Sequence, residues 1–190
     1  MAKPEHYKYY LSIRLKEYNY TGPGVYFITI CTKDRNDHFG TKMEGTVELN
    51  KNGLTARDCL LEIPFHFSNS RIIEYIIMPD HIHILISIAE SSADFEEESI
   101  NILGRDKTGS INGTIYRTST ENTFERFGKP SKGSIPTIIR TYKAAVTRMI
   151  NRNSLLNGAK IWQPGYYEHV IRDDEELKYT KDYIKANPEA

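Results

Sequence analysis

The feature that most constrains the fold is an alternating segment, His81-Ile82-His83-Ile84-Leu85-Ile86-Ser87-Ile88. A β-strand points successive side chains to opposite faces, so the isoleucines at even positions share one face, which we assign to the core. His81 and His83 then lie together on the opposite face. Residues 72–78 form a second strand-like run before Pro79-Asp80, so the two runs predict adjacent strands.

Other segments in the first part of the chain add to this framework. Residues 25–32 are dense in β-branched and aromatic side chains and predict a strand, and a weaker strand is expected near 45–49. Asn50 or Asn52 is expected to cap a helix that runs through Ile63.

Beyond residue 133 the apolar period becomes helical. Residues 135–152 predict a helix whose apolar stripe is Ile138, Tyr142, Ala145 and Met149. Residues 166–171 predict a short strand, and Asp173 caps a last helix, with Glu176 completing a capping-box-like start. The order β-α-β-β-α-β and then a helix predicts an α+β fold, a ferredoxin-like antiparallel sheet with helices packed on it and a C-terminal helix.

The length of 190 residues predicts a single domain over 1–190, with a long insertion at 90–133. The insertion is rich in Ser, Thr, Asn, Gly and charged residues, so it buries little apolar surface and is expected to be mobile. The 25 basic and 25 acidic residues balance, unlike those of many nucleic-acid-binding domains. Local charge nevertheless decides where a phosphate backbone can lie.

The sequence also indicates the compartment. Cys31 and Cys59 stand apart in apolar segments and are expected to be reduced thiols in or near the core. The N-terminal segment lacks the apolar region of a signal peptide, and no stretch approaches the ~20 apolar residues of a membrane span. We therefore expect a cytoplasmic protein that does not contact a membrane.

The two histidines on the alternating strand are candidates for a metal site. Two imidazoles on one strand face can bind one divalent cation through neutral ring nitrogens. The alternative is a pair of polar side chains on a solvent-facing strand. The pattern His81-Ile82-His83 does not by itself separate the two.

The last predicted helix carries a second group of polar side chains on one face, namely Glu176, Thr180, Tyr183 and Asn187. The Tyr183 phenol is a usable covalent nucleophile, and the Asn187 amide oxygen one turn later is a suitable ligand for a hard cation. The alternative is that Tyr183 serves only in packing, as most helical tyrosines do.

Several motifs occur together and in a fixed order: Met78-Pro79-Asp80-His81-Ile82-His83, Trp162-Gln163-Pro164, and the segments 167–172 and 183–188. With the first strand and Arg35, they resemble the REP-associated tyrosine transposases. These are relatives of the insertion-sequence single-tyrosine HUH transposases, where U is a hydrophobic residue. The resemblance covers roughly residues 10–88 and 134–188, and the insertion at 90–133 is long for that family.

The resemblance implies that His81, His83 and Asn187 hold a divalent cation, Mg²⁺ or Mn²⁺, and that Tyr183 is the nucleophile on a C-terminal catalytic helix. It implies a metal-dependent endonuclease and strand transferase that acts on single-stranded or hairpin DNA through a covalent 5′-phosphotyrosine. His169 and Arg172 match a recurring strand motif, in which we take Arg172 as a DNA contact and His169 as a supporting residue. Whether the protein acts as a homodimer stays open.

Further basic residues are candidates for contacts to DNA phosphates, although each is also compatible with a solvated surface charge: Lys33, Arg35, Arg140, Lys143 and Arg148. One alternative function is a hairpin-binding module of the same fold that no longer cleaves DNA. Another is a small metal hydrolase in which the histidines activate water. A hydrolase needs a catalytic carboxylate, and the sequence does not bring Glu74 or Asp80 to the metal.

Overall fold

The computed structural model describes residues 22–90, 95, 131, 133–153 and 158–187. Nearly all of the predicted insertion at 90–133 lies outside the described residues, so its mobility stays a prediction. Within the described ranges, no helix is long and apolar enough to cross a membrane.

An antiparallel sheet forms the centre of the described fold. Its strands are β1 (Gly24–Cys31), β4 (Ser70–Ile77), β5 (His81–Ile88) and β6 (Tyr167–Ile171). They lie in the order β4-β5-β1-β6, so β1 and β5 occupy the middle. In this sheet β4 is the next strand after β1 along the chain, and the two lie on either side of β5. This is the split β-α-β arrangement of the ferredoxin-like fold. The predicted fold class is confirmed.

The remaining elements are a 3-10 turn (Lys33–Arg35), β2 (Gly40–Met43), β3 (Thr46–Leu49), α1 (Lys51–Leu61), α2 (Ile63–His66), α3 (Ile135–Asn153) and α4 (Asp174–Ala186). The weak strand expected near 45–49 is β3, the second arm of a hairpin with β2. Asn50 caps α1, since its side chain accepts from the backbone N–H groups of Asn52 and Gly53. The predicted helix is broken at Glu62, before the proline in the first turn of α2.

Both faces of the sheet are covered. On one face, the even-numbered isoleucines of β5 pack in the main core with apolar side chains of α1 and α3, as predicted. On the other face, Phe27 and Leu85 pack in a second cluster with Leu177 and Ile184 of α4. Because α4 covers this second face, His83 is only 5% exposed, and a solvent-facing strand is excluded for it.

The buried face of α3 differs from the predicted stripe. Ile138 and Tyr142 are buried as expected, but Met149 is 42% exposed. Val146 and Ile150, which the stripe omitted, are buried in its place. The apolar arc of this helix is broader than one narrow stripe, so its centre is rotated toward Val146 and Ile150.

The first turn of α4 allows a test of how this helix is anchored. Asp173 Oδ1 accepts from the Glu176 N–H at 2.8 Å, as predicted, while Glu176 Oε2 accepts from the Arg172 N–H rather than from the cap itself. Asp173→Ala should lower the free energy of unfolding by about 0.5–2 kcal/mol in urea titrations. Asp173→Asn keeps an acceptor and should cost much less. Equal losses in the two variants would show that the cap bond contributes little.

Candidate functional site

His81 and His83 project from β5 toward the face that α4 covers. Their ring centroids lie 4.7 Å apart, with the ring planes at 74°. The side chain of His81 is 14% exposed, so it lies closer to solvent than His83. The structure thus brings the two imidazoles together at one end of the cluster beneath α4.

One nitrogen of each imidazole is held by the protein. His83 Nδ1 lies 2.8 Å from Thr29 Oγ1 on β1, and His81 Nδ1 lies 2.5 Å from Asp80 Oδ1. Within the described residues, neither Nε2 atom has a hydrogen bond. Histidines that bind metals usually have their other ring nitrogen held in this way, which orients the ring. The donor set therefore fits a cation bound through the two Nε2 atoms.

The protonation of His83 also suits ligation. Burial, with smaller contributions from His81 and Arg35, lowers the pKa of His83 to about 3. The ring is therefore neutral near pH 7, as a metal ligand must be.

Among the described residues, no three His, Cys, Asp or Glu side chains form a group that could hold a metal. The third ligand predicted here, Asn187, is an amide and does not belong to those residue types.

Tyr183 projects from α4 onto the same cluster. Its ring centroid lies 5.5 Å from that of His83 and 6.1 Å from that of Phe27. The phenol forms a hydrogen bond with the side chain of Asn187, which is 7% exposed at the C-cap of α4. Burial raises the pKa of Tyr183, and the Asn187 hydrogen bond opposes that shift. The ring of Tyr183, the predicted nucleophile, therefore packs against His83 of β5, although the two residues are far apart in sequence.

A cleft of about 660 Å³ opens beside Tyr183, between α4 and the sheet. Two of its lining side chains, Tyr167 and Tyr179, are 39% and 44% exposed. Arg172 and His169 also line it. His169 Nε2 bonds to the Glu176 carboxylate, so this histidine links the edge strand β6 to the first turn of α4.

The structure separates the basic residues predicted to contact DNA. Arg35 lies in the 3-10 turn after β1, with Nε 2.8 Å from Asp80 Oδ2. Lys33, in the same turn, is exposed and lies 3.6 Å from Asp34. Arg172 is exposed at the cleft beside Tyr183. All three side chains are thus open to solvent, at 49% for Lys33 and 53% for Arg35, but Arg35 also contacts another side chain.

The basic residues of α3 stand apart from the histidine–tyrosine cluster, because α3 covers the opposite face of the sheet. Arg140 and Arg148 are exposed there. Lys143 is half-buried, and its Nζ donates to Gln163 O at 2.7 Å and to Gly165 O at 2.8 Å. Its charge is therefore used to hold the loop before β6. Contact of these three residues with DNA stays a prediction.

Sequence reasoning missed the two residues that hold the imidazoles. Thr29 could have been found, because it is the polar residue on the β1 face that also carries Val25 and Phe27. Asp80 was considered only as a carboxylate at the metal, whereas it contacts the far nitrogen of His81.

Comparisons with known proteins give the following relatives. No protein-family model matches the chain. An uncharacterized protein of Haemophilus influenzae is 36% identical over 180 residues, which cover 93% of this chain and 87% of that protein. A "Putative REP-associated tyrosine transposase" of the same organism is 26% identical over 170 residues, covering 90% and 73%. A solved structure of a REP-associated tyrosine transposase bound to a REP hairpin has a TM-score of 0.51 at 17% identity, covering 90% of this chain and 70% of that one. At this identity the structural similarity shows a shared fold.

The contacts of Lys143 lead to a prediction about stability. Lys143→Met keeps the aliphatic stem but removes both hydrogen bonds to the loop carbonyls, so unfolding in urea should require roughly 1–2 kcal/mol less free energy. Lys160→Met, at an exposed lysine in the loop before β6, is the matched control and should be nearly neutral. Unchanged stability of Lys143→Met would show that the loop does not depend on this side chain.

Proposed function

We propose that this chain, which belongs to the REP-associated tyrosine transposase family, is a metal-dependent single-strand DNA endonuclease and strand transferase that acts on hairpin DNA. The observation that carries the proposal is the contact between Tyr183 and His83, whose ring centroids lie 5.5 Å apart. It joins a candidate nucleophile on α4 to a candidate metal-binding pair on β5. The structural relative bound to a REP hairpin supports a DNA hairpin as the substrate.

His81 and His83 would hold Mg²⁺ or Mn²⁺ through Nε2, with the Asn187 carbonyl oxygen as a third ligand. An amide has both a donor and an acceptor, so Asn187 can bond to the phenol through one and to a cation through the other. When bound, the cation supplies positive charge that offsets the repulsion between a phenolate and the phosphodiester.

Tyr183 carries the covalent chemistry in this proposal. Its Oη attacks the phosphorus, the P–O3′ bond breaks, and the products are a 5′-phosphotyrosine and a free 3′-hydroxyl. The phenol loses its proton and the 3′-oxygen gains one. The Asn187 hydrogen bond favours the phenolate, against the effect of burial. Because the phosphotyrosine conserves the energy of the broken bond, the 3′-hydroxyl of a second DNA end can reverse the step and be joined without ATP.

The cleft beside Tyr183 supports single-stranded DNA as the part of the substrate that is cut. Tyr167 and Tyr179 expose aromatic rings there, and stacking of one base on such a ring contributes about 1–3 kcal/mol. Arg172 lies at the same cleft and has the charge needed to contact a phosphate. Unpaired bases next to the scissile phosphate would therefore find both kinds of contact close to the nucleophile.

Tyr183→Phe tests the nucleophile. The substitution removes one hydroxyl and keeps the ring against Phe27 and His83, so the fold and hairpin binding should hardly change. Incubation with labelled hairpin DNA and Mn²⁺, followed by a denaturing gel, should show no covalent adduct and no strand joining. Tyr75→Phe is the matched control, because Tyr75 packs on the opposite face of the sheet and should leave adduct formation unchanged. An undiminished adduct with Tyr183→Phe would end the case for this mechanism.

The double variant His81→Ala, His83→Ala tests the metal site. It should lower Mn²⁺ affinity in calorimetric titration at least about 100-fold and abolish cleavage, because it removes both imidazole ligands. The isoleucine face of β5 is untouched, so circular dichroism should show a folded chain. His66→Ala, at an exposed histidine of α2, should bind Mn²⁺ as the unchanged protein does. Equal Mn²⁺ affinity in the double variant would mean that the metal binds elsewhere.

A further inference from the structure

A chain of side-chain contacts runs from Arg35 to His81 through a single carboxylate. Arg35 Nε lies 2.8 Å from Asp80 Oδ2, and Asp80 Oδ1 lies 2.5 Å from His81 Nδ1. Each carboxylate oxygen thus has its own partner, one a guanidinium and the other an imidazole. The Asp80 side chain is 22% exposed, so the carboxylate is largely shielded from water. Because both of its oxygens have partners and it is shielded from water, the Asp80 carboxylate restricts the orientation of the His81 ring.

The guanidinium is fixed from a second side. Arg35 Nη1 lies 3.0 Å from Cys31 Sγ, and Cys31 is the residue paired with His81 across the β1–β5 ladder. With Nε on Asp80 and Nη1 on Cys31, two of its three nitrogens face protein atoms. The side chain is still 53% exposed, so these two contacts, and not burial, distinguish Arg35 from a free surface charge.

The turn that carries Arg35 has an unusual backbone conformation. Asp34 and Arg35 have φ values of 57° and 55°, in the left-handed region that side chains other than glycine rarely adopt. Such conformations persist only where surrounding contacts hold them, and they concentrate at functional sites.

Thr32 supplies contacts that hold the turn. Its backbone N–H donates to Asp80 O at 2.9 Å, and its fully buried Oγ1 lies 2.9 Å from the same oxygen. The turn therefore contacts Asp80 at two places: Thr32 bonds to its main-chain oxygen, and the Arg35 side chain contacts its carboxylate.

We propose that Arg35 is a positioning residue that fixes the His81 ring through Asp80, so that His81 Nε2 faces the metal, rather than a contact to DNA phosphate. The inference rests on the proposed metal site. A carboxylate on the far nitrogen of a metal-binding histidine selects the tautomer and orients the ring, and loss of such a partner typically lowers metal affinity about 10–100-fold. Arg35 acts one contact further out, because it holds the carboxylate.

The test separates the positioning role from a phosphate contact by two measurements on the full chain. Arg35→Met should lower Mn²⁺ affinity in calorimetric titration about tenfold, as should Asp80→Ala. Hairpin affinity measured in EDTA over a range of salt concentrations should stay unchanged for Arg35→Met. A phosphate contact predicts the reverse, namely unchanged Mn²⁺ affinity, weaker hairpin binding without metal, and a salt slope smaller by about one. That result would overturn the proposal.

Two further variants keep the test decisive. Arg35→Lys keeps the positive charge but cannot reach Asp80 and Cys31 with one planar fork, so it should lose Mn²⁺ affinity even where Arg35→Met folds poorly. Arg57→Met removes another arginine, paired with Asp58 at 3.0 Å on α1, and should change neither measurement. Full Mn²⁺ affinity in Arg35→Lys and Arg35→Met would overturn the positioning role alone. An unsubstituted protein that fails to bind Mn²⁺ would overturn the proposed function as well.

Discussion

The direction of the two imidazoles depends on the alternation of apolar side chains along β5. Ile82, Ile84 and Ile86 are fully buried beneath α1 and α3, and burial of each such side chain contributes about 1.5–3 kcal/mol. A slip of one residue in the ladder with β1 would turn these isoleucines away from the main core and put His81 and His83 there. The hydrophobic effect therefore fixes which way the histidines point, before any contact that they make themselves.

The second face of the sheet makes the imidazoles a preorganised group and not merely a neighbouring pair. Phe27 of β1 and Tyr183 of α4 pack against the buried ring of His83, and a buried polar ring requires a hydrogen-bond partner. Thr29 provides one for His83, and Asp80 provides one for His81. The ring orientations are thus set by strands and a tight turn, which hold side chains more exactly than long loops do. Tyr183 then needs only the docking of α4 to reach the cluster.

Local patterns in the sequence predicted much of this arrangement, because they depend on neighbours along the chain. The alternation of β5, the cap at Asp173 and the pairing of the two histidines on one strand face are features of this kind. The partners Thr29 and Asp80 were not predicted, since their roles depend on strand register and on a turn with unusual backbone angles. Arg35 illustrates the same limit. Its charge suggested a phosphate contact, which stays a prediction, but the sequence did not indicate that its side chain also contacts a carboxylate of its own chain.

The pairing of β1 with both β5 and β6 also determines the order in which the two histidines and Tyr183 come together during folding. Val25 on β1 faces Ile171 on β6, so the ladder joins segments from distant parts of the chain. Contacts of such long sequence separation form slowly, because loop closure costs entropy before packing offsets it. During synthesis on the ribosome, β1, β4 and β5 emerge well before β6 and α4. A nascent chain therefore acquires the paired histidines first and Tyr183 only as the sheet is completed, so the Tyr183 phenol joins them in a protein that is already close to its final fold.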